Sequence, residues 1–316
     1  MDTTLKKGTL VKRIPPLLVM LTAFACHAAE PVIQPAEVRR RLARIQPEAV
    51  RLALEDMAAR WPQRCGQTDR AWCATLGTRR DAFMERLDKQ DPAAVAEADA
   101  LVRQVRSALL ANPLLDADRF LLIRRGANNL ALPQNWQQQR DVNRRGLTNE
   151  IAFLTGLRDT PTVTSLHRAE PGTYIGDLQL HWDAHRLMFT GENEKRLHRV
   201  YELDLAAPAQ PKMFPFIPDD DVDNYAGCWL ADDSVIFLSN ATFIGVPCVV
   251  GSSYVAALYR WMPADGSIRR LTFDQDHNWY PTQMPDGRIM YLRWEYSGIV
   301  HYVSRVLFTL NPDGTG

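Results

Sequence analysis

The chain has 316 residues, more than one small core requires, which points to two domains. Lys plus Arg and Asp plus Glu number 37 each, so the formal charge is zero, with no basic excess to favour nucleic acid and no acidic tail. Hydrophobic residues make up 46%, with eight Trp, nine Tyr and eleven Phe, which is ordinary core material for a globular chain.

The N-terminus reads as an export signal. Lys6, Lys7, Lys12 and Arg13 form a cationic start, and Pro16 to Ala25 is a ten-residue apolar run too short to span a bilayer. Small residues follow at Ala28 and Ala29, so residues 1–29 are expected to be a signal peptide, cleaved after one of these two alanines. A periplasmic or secreted location follows. Lipid anchoring through Cys26 is the lesser alternative, because Ala23 stands where a larger aliphatic residue is preferred, and a short buried helix is a third reading. No later segment is apolar enough to cross a membrane.

Residues 30–112 form an α-helical region. Val38, Leu42, Ile45, Val50, Leu52, Leu54 and Met57 recur near helical spacing up to Pro62. A second helix is expected from Leu76 to Leu87, and a third from Pro92, a good first helical residue, to Leu110, where Asn112-Pro113 stops it. In an exported chain, Cys65 and Cys73 are expected to form a disulfide across a short loop, with a Cys228–Cys248 bond as a further option.

After Pro113 the texture turns to short β-rich runs that repeat. Leu115-Asp-Ala-Asp-Arg-Phe-Leu-Leu122 matches Trp182-Asp-Ala-His-Arg-Leu-Met-Phe189, Leu230-Ala-Asp-Asp-Ser-Val-Ile-Phe237 and Met284-Pro-Asp-Gly-Arg-Ile-Met-Tyr291. Each is a tight polar turn followed by an alternating strand. The offsets of 67, 48 and 54 residues are blade-sized. A second repeated hairpin, clearest at Leu258 to Thr272 and Leu307 to Thr315, makes four antiparallel strands per repeat. The fold class is therefore mainly β: an incomplete β-propeller of about four blades over residues 113–316, preceded by the small helical region. A plain β-sandwich with similar turns is the alternative. The last blade stops in its second hairpin, which suggests a fragment of a longer protein or a partner that completes the propeller.

Several phrases are more specific than generic repeats: Leu132-Pro-Gln-Asn-Trp136, Asp177 to Asp183, Asp221-Val-Asp-Asn-Tyr225, Gly245-Val-Pro-Cys248, Gln275-Asp-His-Asn-Trp279 and Arg293-Trp-Glu-Tyr296. Over residues 112–316 the chain resembles the hydrazine synthase alpha-subunit middle-domain family, a propeller of TolB-like/PD40 type in exported bacterial proteins. In the name-giving enzyme, haem groups in flanking domains carry the chemistry. This chain has no Cys-x-x-Cys-His, so no haem attachment is evident in it. The resemblance thus implies the fold and an exported setting rather than a reaction.

Four-stranded blades with the first strand innermost place the loops before that strand, and those between the second and third strands, at one end of the channel. Three such inner-strand loops align as Tyr174 to Asp177, Val222 to Tyr225 and Asp276 to Trp279. Asp221, Asp223, Asn224, Asp276, His277 and Asn278 are the ligand-binding candidates there. Asp223, Asp276 and His277 are candidate ligands for a divalent cation. The other reading is that these Asp and Asn residues only cap turns. Long loops at 126–149, 239–257 and 292–304 crowd the same end and bring Trp136, Cys248, Trp294, Glu295, Tyr296 and His301. Glu295 and His301 are a candidate acid/base pair, and Trp294 and Tyr296 are either ligand contacts or packing residues. His167 and His198 are expected to face solvent. His181 and Asp183 are expected to bond locally, and Asn240-Ala-Thr is a sequon by pattern only. No phosphate loop, nucleophile elbow or metalloprotease helix occurs.

The leading expectation is a ligand- or partner-binding scaffold with no nucleic-acid role and no membrane span. The alternatives are part of a haem-containing periplasmic oxidoreductase, or the propeller of a hydrolase, with catalytic residues outside this chain.

Overall fold

The computed structural model describes residues 34–66, 70–208, 210–246, 249–296, 298 and 305–316. The expected signal peptide, Cys26, Cys248 and His301 lie outside the described residues. The chain divides into two compact units that meet in sequence at Asn112 and Pro113.

The first unit is helical: α1 (Pro35–Ala43), α2 (Pro47–Arg60), α3 (Pro62–Cys65), α4 (Leu76–Asp88) and α5 (Pro92–Leu110). Proline opens four of the five, where its missing N–H would have had no helical partner anyway. Asp91 caps α5 by accepting the Ala93 amide at 3.0 Å. Val38, Leu42, Leu54, Met57, Leu76, Ala98, Leu101 and Val105 form one core, with α5 packed against α1, α2 and α4. The first helical run is broken, however: Arg44 to Gln46 leave the helix, Pro47 restarts it, and Leu52 points out to solvent. Cys65 and Cys73 are buried in this core, and no disulfide joins any described cysteines, so the expected bond is not formed. Packed among apolar neighbours, the two sulfurs behave as small hydrophobes.

The second unit is a succession of antiparallel meanders. The first holds β1 (Arg119–Arg125), β2 (Asn149–Thr155) and β3 (Thr162–Arg168). The second holds β4 (Gly176–Leu180), β5 (Arg186–Glu192), β6 (His198–Asp204) and β7 (Lys212–Met213). The third holds β8 (Asn224–Trp229), β9 (Val235–Ser239), β10 (Ala257–Trp261) and β11 (Ile268–Arg270), and the fourth β12 (Asn278–Gln283), β13 (Ile289–Trp294) and β14 (Arg305–Leu310). The inner strands β4, β8 and β12 are neighbours in that order, so successive sheets share an axis. The sheets do not close into a ring among the described residues. The first sheet also has three strands rather than the expected four. Helix α5 ends at Leu110 and a short 3-10 turn at Pro113–Leu115 runs straight into β1, leaving no residues for an inner strand.

Each inner strand carries the same irregularity. Pairing skips between Gly176 and Gln179, between Tyr225 and Cys228, and between Trp279 and Thr282. The residue after the first of each pair is left-handed: Asp177 at φ 54°, Ala226 at φ 50° and Tyr280 at φ 47°. These bulges align Tyr174 with Asp223 and His277, one residue away from the register read in the sequence. They also align Gly176 with Tyr225 and Trp279. Gly176 is small for a reason: the Tyr174 phenol folds back into the space a side chain there would take, so a Cβ would run into its hydroxyl. Replacing Gly176 with Ala should therefore displace a fully buried ring and cost about 1–3 kcal/mol in chemical denaturation. Equal stability of the variant would show that the Tyr174 ring is not fixed there.

Candidate functional site

The loop joining β1 to β2 reaches every later sheet. Arg125 at the end of β1 donates to the Leu130 carbonyl and, at 3.1 Å, to the Ile175 carbonyl. Arg144 meets Glu192 of β5 and the Gly172 carbonyl. Gln138 donates its amide to Ser253 Oγ at 2.7 Å, and its Oε1 accepts from Asn240 at 3.1 Å. Arg140 Nε lies 3.3 Å from Asp223 Oδ2. The Trp136 carbonyl lies 3.2 Å from His277 Nε2, and Arg305 of β14 donates to Asn135 and to the Pro133 carbonyl. The segment is a strap of polar contacts over the inner ends of the sheets.

Asp223 is the most heavily engaged candidate. Its Oδ1 accepts the His198 amide at 2.9 Å, its Oδ2 accepts from Asn240 at 3.2 Å, and its own amide donates to Asn240 Oδ1 at 2.8 Å. His277 is buried; its Nδ1 accepts the Ala256 amide at 3.2 Å, so Nε2 carries the proton given to Trp136. Burial pushes its pKa down to about 4. Asp276 instead accepts the Tyr296 amide at 3.0 Å, and burial raises its carboxyl pKa. Asn224 and Asn278 occupy equivalent positions and each donates to a backbone carbonyl, of Ile217 and Ala256 respectively. Asp221 is exposed in the turn before β8. Among the described residues, no three His, Cys, Asp or Glu side chains converge to hold a metal.

Trp294 is fully buried, its ring 5.8 Å from His277 and 5.3 Å from Tyr296, in a cluster with Val246, Val255 and Trp136. It is placed as a packing residue. Glu295 pairs with Arg293 at 2.8 Å. Cys228 is a buried thiol that receives Gln179 Nε2 at 3.4 Å, and burial raises its pKa.

The sequence reading missed a second buried group. His198, expected at the surface, is fully buried: it stacks on Tyr174 at 4.9 Å and meets Tyr225 edge-on at 6.2 Å. The strand β6 begins at His198, beneath the turn that carries Asp223, which turns the ring inward. Glu192 lies 3.7 Å from its Nε2. Burial works against that carboxylate, but His198, Arg144 and the Tyr174 amide outweigh it and hold the pKa at about 2. Burial pushes the Asp177 carboxyl up, against Thr190, His198 and Arg125. No local sequence signal marks this group; its setting follows from the bulge register, which puts Tyr174 in line with Asp223 and His277.

The opposite end carries the short polar turns. His181, whose bond was expected to be local, lies 2.8 Å from Asp183 but also 2.7 Å from Asp233 of the next sheet. Arg260 bridges Ser234 and the Pro312 carbonyl at 3.0 and 3.1 Å.

No protein-family model and no curated protein matches the sequence. Among solved structures, the chain is similar to putative TolB from Agrobacterium tumefaciens, at 14% identity over 54% of this chain and 58% of that one, with a TM-score of 0.40. It is similar to TolB from Acinetobacter baumannii at 16% identity, over 68% and 60%, with a TM-score of 0.35. A puromycin-hydrolyzing peptidase of Mycobacterium tuberculosis aligns at 13% identity over 63% and 28%, with a TM-score of 0.40. The chain thus spans 28–60% of the length of these proteins. The sheet assignment rests on the chain's own strand order. No helix among the described residues is long and apolar enough to cross a membrane.

His277 makes the fold sensitive to acid. Its folded pKa of about 4 lies below the ordinary value of 6.5, so its contribution is present above pH 6.5 and is lost as pH falls through 4. The loss amounts to about 3 kcal/mol at full protonation of both states. Urea denaturation at several pH values should show this loss in the native chain and a smaller one in His277→Gln. An identical pH slope in both would remove His277 as its source.

Proposed function

We propose that the chain is a β-propeller module of an exported protein, and that it acts as a scaffold whose loop-bearing end binds a ligand or partner. The observation that supports this most is the contrast between the two ends. The turn end is laced by partly exposed ion pairs. Cavities of about 310 and 190 Å³ lie at the loop-bearing end, beside Arg124 and Asn149 in one case and Arg199 and Asn224 in the other. Concave sites with a few placed polar groups are the usual places where proteins take small ligands.

The resemblance to the hydrazine synthase alpha-subunit middle domain supports the same reading. Its phrases Leu132 to Trp136 and Gln275 to Trp279 are the segments that meet through Trp136 and His277. With no Cys-x-x-Cys-His in the chain, the proposal assigns it no haem and no reaction. A divalent cation stays within the proposal at Asp276, the candidate carboxylate least engaged by the strap. N-terminal sequencing of the exported form should begin after Ala28 or Ala29; retention of residues 1–29 would remove the export reading.

Thermal-shift measurements with calcium, zinc and small polar metabolites test the binding role. Stabilisation by a ligand should be lost in Asp276→Ala at the loop end and kept in Asp286→Ala at the turn end. Equal loss in both variants, or no stabilising compound at all, would overturn it.

A further inference from the structure

Between β7 and the turn before β8 the chain runs Met213-Phe-Pro-Phe-Ile-Pro218, where two prolines keep the backbone extended. Phe214 and Phe216 stack at 5.0 Å, and Phe216 stacks in turn on Phe237 at 4.0 Å. This wall, with Arg199 and Asn224 opposite, encloses the cavity of about 190 Å³. It lies between the two four-stranded sheets.

Two groups in this cavity have unmet bonding capacity. Arg199 is 5% exposed, yet its guanidinium contacts only backbone carbonyls: Nη1 donates to His198 at 3.0 Å and to Val222, and Nη2 to Asp219 at 2.9 Å. Those bonds use three of its five N–H groups, and two remain. No carboxylate lies within ion-pair distance of it among the described residues, because the nearby acids are engaged elsewhere. Asp223 faces Arg140, Asp220 pairs with Lys195 at 2.5 Å, and Asp219 is exposed. Asn224 is 1% exposed; its Nδ2 is bonded to Ile217, and its Oδ1 has no partner. A buried cation with no carboxylate in direct contact, beside a buried acceptor without a donor, leaves a specific deficit.

We propose that this cavity binds a small organic acid. Its carboxylate would take the two open N–H groups of Arg199, a hydroxyl or amine next to that carboxylate would donate to Asn224 Oδ1, and its apolar part would lie on Phe214 and Ile217. The proposal deepens the ligand-binding reading of the loop-bearing end and rests on it for its biological meaning.

Calorimetric titration of the whole chain with mandelate, phenylacetate, mandelamide and inorganic phosphate tests it. Mandelate should bind saturably, phenylacetate several-fold more weakly for want of the hydroxyl, and mandelamide at least about tenfold more weakly for want of the charge. Arg199→Met should abolish mandelate binding. Because Arg199 also holds three carbonyls, Met213→Trp is the second variant. It sits on the exposed rim and should block the cavity while leaving the circular dichroism and melting unchanged. Absence of mandelate binding, equal binding of mandelamide, phosphate binding as tight as mandelate, or full binding to Met213→Trp would each overturn the proposal. Mandelate failure alongside metabolite hits lost in Asp276→Ala would remove this pocket and leave the loop-end reading standing; the reverse pattern would do the opposite.

Discussion

The β unit depends on how one buried carboxylate is satisfied. Asp223 is 1% exposed, and a carboxylate so placed is tolerated only with hydrogen bonds and charge close by. Its partners come from three places: the amide of His198 at the start of β6, the side chain of Asn240 after β9, and Arg140 from the loop after β1. None is near it in sequence. Asn240 is in turn tied to Gln138, and Gln138 to Ser253 and Asp141, so the loop after β1 is committed to the far side of the third sheet. Once there, it is placed for Trp136 to meet His277 and for Asn135 to meet Arg305. A network of this kind is stiff because every member loses a partner if one leaves.

The inner-strand bulges prepare the positions from which this network is built. In each inner strand the residue three places before the left-handed one comes to an equivalent position. That earlier residue is Tyr174, Asp223 or His277. In two of the sheets it holds the strap. In the other it is a phenol folded over Gly176, where the corresponding positions carry Tyr225 and Trp279. One backbone device therefore serves both a packing residue and two polar ones.

Much of this architecture was legible in the sequence and part of it was not. The four polar turns at Asp116, Asp183, Asp233 and Asp286 stand out because tight turns demand small polar residues, and each is followed by a short apolar run of strand length. The helical unit was legible for a similar reason, although Pro47 within its first run was the visible cue for the break. The bulges leave no local signature, because Asp177, Ala226 and Tyr280 share a φ angle and no chemistry, which is why the register slipped by one residue. His198 was misread because burial at the first residue of a strand depends on what crosses above it. The strap's partners lie 28 to 172 residues away, and most are beyond anything periodicity can report; 102 residues separate Gln138 from Asn240.

The two ends of the sheets differ in the kind of interaction they use, and the difference bears on where binding can reside. At the turn end, Arg186, Asp183 and Asp233, or Arg260 and Asp232, are charges of opposite sign held close on a partly wet surface. Each such pair contributes little, roughly 0–1 kcal/mol, and leaves no bonding capacity turned inward. At the loop end the charges are buried, so an unmatched one is costly. There Asp223 is matched by the chain itself, whereas Arg199, a few ångströms of backbone away across Val222, meets only carbonyls. The two opposite charges lie close without an ion pair between them: the acid is closed by the strap, and the base lines the cavity while holding three carbonyls.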